Sequence, residues 1–147
     1  MYDKILVPLD GSKRAEAILP HVRQIAGGTR SKVTLLTALA HMIPSSSTRA
    51  ASPDSLEEDQ RRLKSTEDYL TGLAEELRRM DIQTEFKVVY GPAVETIIRV
   101  AEEEGADLIA IASHGRTGLA RVFYGSIAAG VLQAIDRPLL LIRSRNE

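Results

Sequence analysis

Five short apolar or alternating runs, separated by stretches of helical period, constrain this chain more than any other feature. Tyr2-Asp3-Lys4-Ile5-Leu6-Val7-Pro8-Leu9 is mostly apolar, as a strand buried on both faces would be. Asp10-Gly11-Ser12 ends it, Gly11 permitting a tight turn and Ser12 capping the helix that follows. In that helix Ala15, Ile18, Leu19, Val22, Ile25 and Ala26 share one stripe, and Gly27-Gly28 stop it. Pro20 falls inside the stripe, so a bend is expected there at a cost of about 3 kcal/mol. Lys32 to Leu39 is the second strand, and residues 41–54, with Ser45-Ser46-Ser47 and two prolines, read as a long mobile loop. From Ser55 a long helix carries Leu56, Leu63, Leu70 and Leu77 at sevens, with Leu73 and Met80 beside them. Such a narrow seam suits a helix lying on a sheet, with a coiled-coil partner as the other reading. Gln83 to Val89 alternates like a strand near a sheet edge. Gly91-Pro92 opens a helix with Pro at its first position, its inner face Val94, Ile97, Ile98 and Ala101. A fourth strand over 107–112, a helix over 125–135 and a last strand over 138–142 complete the chain. Strand and helix alternate throughout, which predicts right-handed βαβ units and a parallel sheet within one domain.

The totals narrow the function. At 147 residues the chain suits a single domain that buries roughly 70 % of its unfolded surface. A formal net charge of −1 gives no pull toward nucleic acid or an anionic membrane. Only 4 % of residues are aromatic and Trp is absent, which argues against base-stacking platforms. Without cysteine there are no disulfides, thiolate metal sites or cysteine nucleophiles. No apolar run approaches the ~20 residues of a membrane helix, so a cytoplasmic protein is expected.

Chemistry is expected at the carboxyl ends of the first and fourth strands. Leu108 to Ala112 runs into Ser113-His114-Gly115-Arg116-Thr117-Gly118, and Gly125-Ser126 starts the next helix. Small residues let backbone approach a phosphate, and a helix's first N–H groups carry partial positive charge. If strands one and four are neighbours, Pro8-Leu9-Asp10 and the stretch from Ala112 to Gly118 line one crevice. A nucleotide fits: Asp10 for ribose hydroxyls, small backbone at Ala38 beside a base, Gly115, Gly125 and Ser126 for phosphates. Arg116 and Arg121 would neutralise phosphate charge. Each also has a plainer use: Asp10-Gly11 as a turn pair, Gly118 in a turn, Ser126 as a helix cap, the arginines as solvated surface. His21, His41 and His114 show no metal-ligand spacing. GxxxxGK[ST], a GxGxxG after the first strand and GxSxG are all absent.

Val7-Pro8-Leu9-Asp10-Gly11-Ser12, Ser113-His114-Gly115-Arg116-Thr117-Gly118 and Gly125-Ser126 together resemble the universal stress protein family, with matching element order across nearly the whole chain. The motif of its ATP-binding branch is Gly, two residues, Gly, nine residues, Gly, then Ser or Thr. Here Gly115, Gly125 and Ser126 fill the later positions, and Ala112 replaces the first glycine. The resemblance implies an open α/β fold, a five-stranded parallel sheet in order 3-2-1-4-5 with helices on both faces. It also implies adenine and ribose contacts around Pro8, Asp10 and the backbone of Ala38, with phosphates on Gly115, Gly125, Ser126 and Ile127. Leu9, Ile111, Ala112, His114, Arg116 and Gly118 complete the expected nucleotide site. Family members usually dimerise, often through their last strands, here Leu139, Leu140, Leu141 and Ile142. A negative φ is expected at Ala112, since a positive one would strain it by roughly 1–2 kcal/mol.

The leading expectation is an ATP-binding stress-response or signalling protein, with AMP or ADP as alternative ligands and Mg²⁺ accompanying the phosphates. Hydrolysis would be slow at most, because no general base is evident in the sequence. The competing expectations are a dimeric interaction module of the same fold that binds no nucleotide, and an enzyme using His114 or Asp10 as base.

Overall fold

Each apolar run becomes a strand of one parallel sheet in the computed structural model, which describes residues 2–40, 53–115 and 126–145. The strands are β1 (Lys4–Pro8), β2 (Lys32–Leu39), β3 (Gln83–Tyr90), β4 (Leu108–Gly115) and β5 (Leu139–Arg145). Helices α1 (Leu19–Ala26), α2 (Pro53–Arg79), α3 (Ala93–Glu104) and α4 (Ser126–Ala134) connect them. The sheet order is β3-β2-β1-β4-β5, all neighbours parallel, so β3 is an edge strand as its alternation indicated.

The period of two along β1 divides the core. Ile5, Val7 and Leu9 face α1 and the C-terminal half of α2, through Leu19, Val22, Leu70, Ala74 and Leu77. Leu6 faces the other way, joining Leu36 and Ile109 beneath Ile97 and Val100 of α3 and Val131 of α4. Helices therefore cover both faces, each fully buried Leu or Ile contributing roughly 1.5–3 kcal/mol of transfer free energy.

Several details depart from the sequence reading. No helix is broken at Pro20: a 3-10 turn (Ala15–Ile18) precedes α1, leaving Pro20 in that helix's first turn. An N–H is orphaned there anyway, so proline costs little. Pro92 is the residue before α3 rather than its first, with φ −62° and ψ 139°. The seam of α2 is buried at Leu70 and Leu77 only; Leu56 remains 49 % exposed and Met80 50 %. Helix α2 has 27 residues, roughly 40 Å, whereas an eight-residue strand spans about 26 Å, so its N-terminal turns overhang the sheet. Strand β4 continues through Gly115 because β5 runs on to Arg145 and pairs with it, placing Ser113 opposite Arg143 and His114 opposite Ser144. Three residues read as loop are thus strand. Most of the serine-rich stretch lies outside the described residues.

Two ion pairs lock β2, β3 and α3: Lys32 to Glu85 at 3.0 Å and Lys87 to Glu104 at 2.8 Å. The Lys87 hydrogen bond holds the Glu104 carboxyl below its ordinary value of 4.5 and, reciprocally, raises the Lys87 ammonium above 10.5. A depressed carboxylate stabilises the fold above its unfolded pKa, and that contribution fades as pH falls through the folded one. The raised ammonium stabilises below its unfolded pKa and loses this as pH rises through the folded one. Lys87 is 39 % exposed, so solvent screening keeps the pair below about 1 kcal/mol. Glu104→Gln should therefore melt slightly lower than wild type near pH 7. The gap should close as the pH is taken below 4.5; a pH-independent gap would mean the ion pair is not its source.

Candidate functional site

From the β1–β4 pair the chain winds outward in opposite directions, through β2 and β3 on one side and β5 on the other. Crossovers leaving on opposite faces open a crevice beyond the carboxyl ends of those two strands. The end of β1 is pinned at that point. Leu9 N–H donates to the Leu36 carbonyl at 2.8 Å, and Thr37 Oγ1 donates to the Leu9 carbonyl at 2.9 Å in a buried bond. Asp10 follows immediately. Its Oδ1 accepts from Ser12 N–H at 2.9 Å and from the Ser12 hydroxyl at 2.6 Å, while Ser12 Oγ accepts from Ala15 N–H at 3.1 Å. One carboxylate oxygen thus shapes the turn into the 3-10 segment, an arrangement favoured by the short Asp and Ser side chains.

A cleft with a cavity volume of about 100 Å³ lies against this turn. Leu36, Ile97 and Ile111 make part of it apolar, and Ala15, Ala38, Ala93, Ala112 and Ala128 give it methyl-sized walls. Asp10, Ser113 and Ser126 supply polar side chains. Ser126 is the exposed first residue of α4, where the unpaired N–H groups carry roughly half a positive charge. Ala112 is extended, paired in register with Ile142; the one described non-glycine residue with positive φ is Asp81. Its methyl group therefore imposes no backbone strain.

Of the residues singled out from sequence, the structure brings Pro8, Leu9, Asp10, Ala38, Ile111, Ala112, Ser126 and Ile127 together on this cleft. His114 and Gly115 are the last residues of β4. Arg116, Gly118, Arg121 and Gly125 lie outside the described residues. Sequence reasoning missed Ala15, Leu36, Ala93, Ile97, Ser113 and Ala128 as lining.

Asp10 also borders a second groove, on the α2 side, together with Thr37, Arg61, Arg62, Ser65 and Tyr69. Arg62 Nη1 donates to the Ala40 carbonyl at 3.0 Å, and the Tyr69 hydroxyl donates to Glu16 Oε2 at 2.5 Å. Burial, that hydrogen bond and the charges of Glu16 and Asp10 push the Tyr69 phenol well above its ordinary value, keeping it a donor. The polar side of the Asp10 turn is thereby tied to α2.

A model of the universal stress protein family matches residues 1–143. Universal stress protein MJ0577 of Methanocaldococcus jannaschii is 29 % identical over an alignment covering 99 % of this chain and 98 % of that protein. The solved structure of MJ0577 is similar with a TM-score of 0.85 at 27 % identity, over 100 % of this chain and 99 % of that one. Two further structures share the fold. One is a universal stress protein in complex with cAMP, 20 % identical with a TM-score of 0.67, covering 98 % of each chain. The other, from Archaeoglobus fulgidus in complex with dAMP, is 19 % identical with a TM-score of 0.66, covering 96 % of this chain and 98 % of that one. With the family model spanning nearly its full length and the strand order shared, this chain belongs to the universal stress protein family.

Proposed function

We propose that this protein binds ATP, or alternatively AMP or ADP, in the cleft beyond β1 and β4, and works as a nucleotide-dependent dimeric module in a cytoplasmic stress response. The observation that carries the reading is the order of chemistry along one cleft. Apolar Leu36 and Ile97 with the small Ala38 suit a base, the Asp10 carboxylate suits ribose hydroxyls, and Ser126 and Ile127 at the start of α4 suit phosphates. Pro8, Leu9, Ile111 and Ala112 shape the walls between these subsites. The complexes of family members with cAMP and dAMP support an adenine nucleotide in general. His114, Gly115, Arg116, Gly118 and Gly125 would belong to the nucleotide site in this reading, and Mg²⁺ would arrive with the phosphates.

Turnover would be slow at most. Asp10, the carboxylate at the cleft, has one oxygen, Oδ1, accepting two hydrogen bonds from Ser12 in the turn. Dimerisation would use β5, an edge of the sheet, where Leu139, Leu140, Leu141 and Ile142 are only partly buried. Leu132 of α4 is 49 % exposed, and an open apolar edge is a ready pairing template. One observation favours the alternative, an interaction module that binds no nucleotide: the Ala112 methyl sits on the cleft wall where the motif has glycine.

The test is direct. Purified protein is denatured and the supernatant assayed for released adenine nucleotide, and fresh protein is titrated with labelled ATP while light scattering reports its mass. Saturable binding with a dimer that responds to ATP is expected. No binding at millimolar ATP would overturn the nucleotide reading in favour of the interaction module.

A further inference from the structure

We propose that the preferred ligand is an adenine nucleotide carrying a further phosphoryl group on a ribose hydroxyl, held by Arg61 and Arg62 in the groove beside α2. The inference rests on the nucleotide reading above and names its ligand more closely. Its starting point is Asp10, which lines both cavities: the cleft beyond β1 and β4, and the groove on the α2 side. A ribose whose hydroxyls meet this carboxylate sits at the junction of the two. A substituent on one of those hydroxyls then has the α2 groove as its exit. The passage is unobstructed at Gly11, which lines the groove next to Asp10 with φ +87°. Nothing lies within 4 Å of where a Cβ would stand there.

The groove offers what a phosphoryl group needs. Arg61 with Ser65, and Arg62 with Thr66, stand four residues apart on α2, so one side of the helix presents two guanidinium groups and two hydroxyls. The fold uses little of either guanidinium. Partly buried Arg62 donates from Nη1 to the Ala40 carbonyl at 3.0 Å, a bond that anchors the group at the groove and takes one of its five donors. Arg61 has only long contacts with Glu57, Nε to the carbonyl at 3.4 Å and Nη2 to Oε2 at 4.0 Å, and its side chain is 72 % exposed. Two cations lining one groove repel each other, and a dianion between them turns that repulsion into attraction. Three phosphoryl oxygens match two such forks, and the groove's cavity of about 560 Å³ accommodates the group with its waters. The charges also fix the ligand's direction. The Asp10 carboxylate favours the hydroxyl side of the ribose and repels a phosphoryl group, which is driven onward to the arginines.

The experiment titrates AMP, adenosine 2′,5′-bisphosphate and adenosine 3′,5′-bisphosphate by calorimetry into wild type and into the double variant Arg61→Ala/Arg62→Ala, with thermal melts to confirm folding. One bisphosphate should bind wild type about tenfold tighter than AMP, and which isomer does so identifies the hydroxyl concerned. Exposed charges are screened by salt, so this advantage should shrink as ionic strength rises. The double variant should bind that bisphosphate no better than AMP, with AMP itself within about twofold of its wild-type affinity. Should losing the Ala40 bond unfold the double variant, Arg61→Glu retains that bond and should cut the bisphosphate advantage at least about fivefold. Bisphosphates that bind wild type no tighter than AMP would overturn the proposal and leave the nucleotide reading standing. An advantage that survives loss of both arginines, or an equal loss for AMP, would overturn it too. Wild type binding none of the three ligands would instead overturn the nucleotide reading itself.

Discussion

Ala15→Trp is expected to leave the fold intact and to weaken adenine-nucleotide binding at least about a hundredfold, equivalent to about 2.7 kcal/mol. Ala15 opens the 3-10 turn after Asp10 and lines the cleft, only partly buried. The bond that fixes its backbone, from its N–H to Ser12 Oγ, is independent of the side chain, so enlargement leaves the turn its anchor. An indole buries 150–250 Å², an area on the scale of a purine ring. Directed into this small cleft with its alanine walls, it would occupy the space a base needs. Circular dichroism and a melt check the fold, and labelled-ATP titration checks the site. A folded variant with unchanged affinity would show that nucleotide binds elsewhere on the molecule.

Ala15 also shows which part of the site the sequence leaves hidden. Its spacing places it on the helical stripe with Ile18 and Leu19, where a small apolar residue reads as core. In the folded chain it does touch the α1–α2 core, while also bordering the cleft, and nothing local distinguishes the two. Leu36 and Ile97 are hidden for the same reason, being core residues that happen to end at a crevice. Ser113 was obscured differently. The length of β4 is set by pairing with β5, some thirty residues on, and the local run of glycines and polar residues looks like a loop. Asp10, Ala38 and Ser126 were legible because each carries its own signal, a turn, a strand end or a helix start, within a few residues. Pro20 belongs with the hidden set. Its local reading is a kink, and only the switch from 3-10 to α geometry at Leu19 removes the conflict. The alternation of elements gave a parallel sheet from periodicity alone, but the order that makes β1 and β4 neighbours came through family resemblance.

Gly130→Ala is expected to destabilise the protein by about 1–2 kcal/mol, although alanine in a helix is ordinarily favoured over glycine by about 1 kcal/mol. A Cβ built at Gly130 would stand 2.7 Å from Val94 Cγ2 and 3.3 Å from Val94 Cγ1, closer than carbon atoms tolerate. Val94 is in the first turn of α3, and a β-branched side chain on a helix has essentially one χ1 rotamer, so its methyl groups cannot swing aside. The two helices must part instead, carrying with them Ser126 at the start of α4 and Ala93 beside Val94, both on the cleft wall. Combining Gly130→Ala with Val94→Ala removes the opposing methyl groups and should restore the α3–α4 contact. Denaturant unfolding of the two single variants and the double variant forms a cycle whose coupling should reach about 1–2 kcal/mol. ATP affinity should fall in Gly130→Ala and recover in the pair, because the same displacement drives both effects. Additive stabilities, or an affinity indifferent to Gly130→Ala, would mean that α4 keeps its position by some contact other than this close approach.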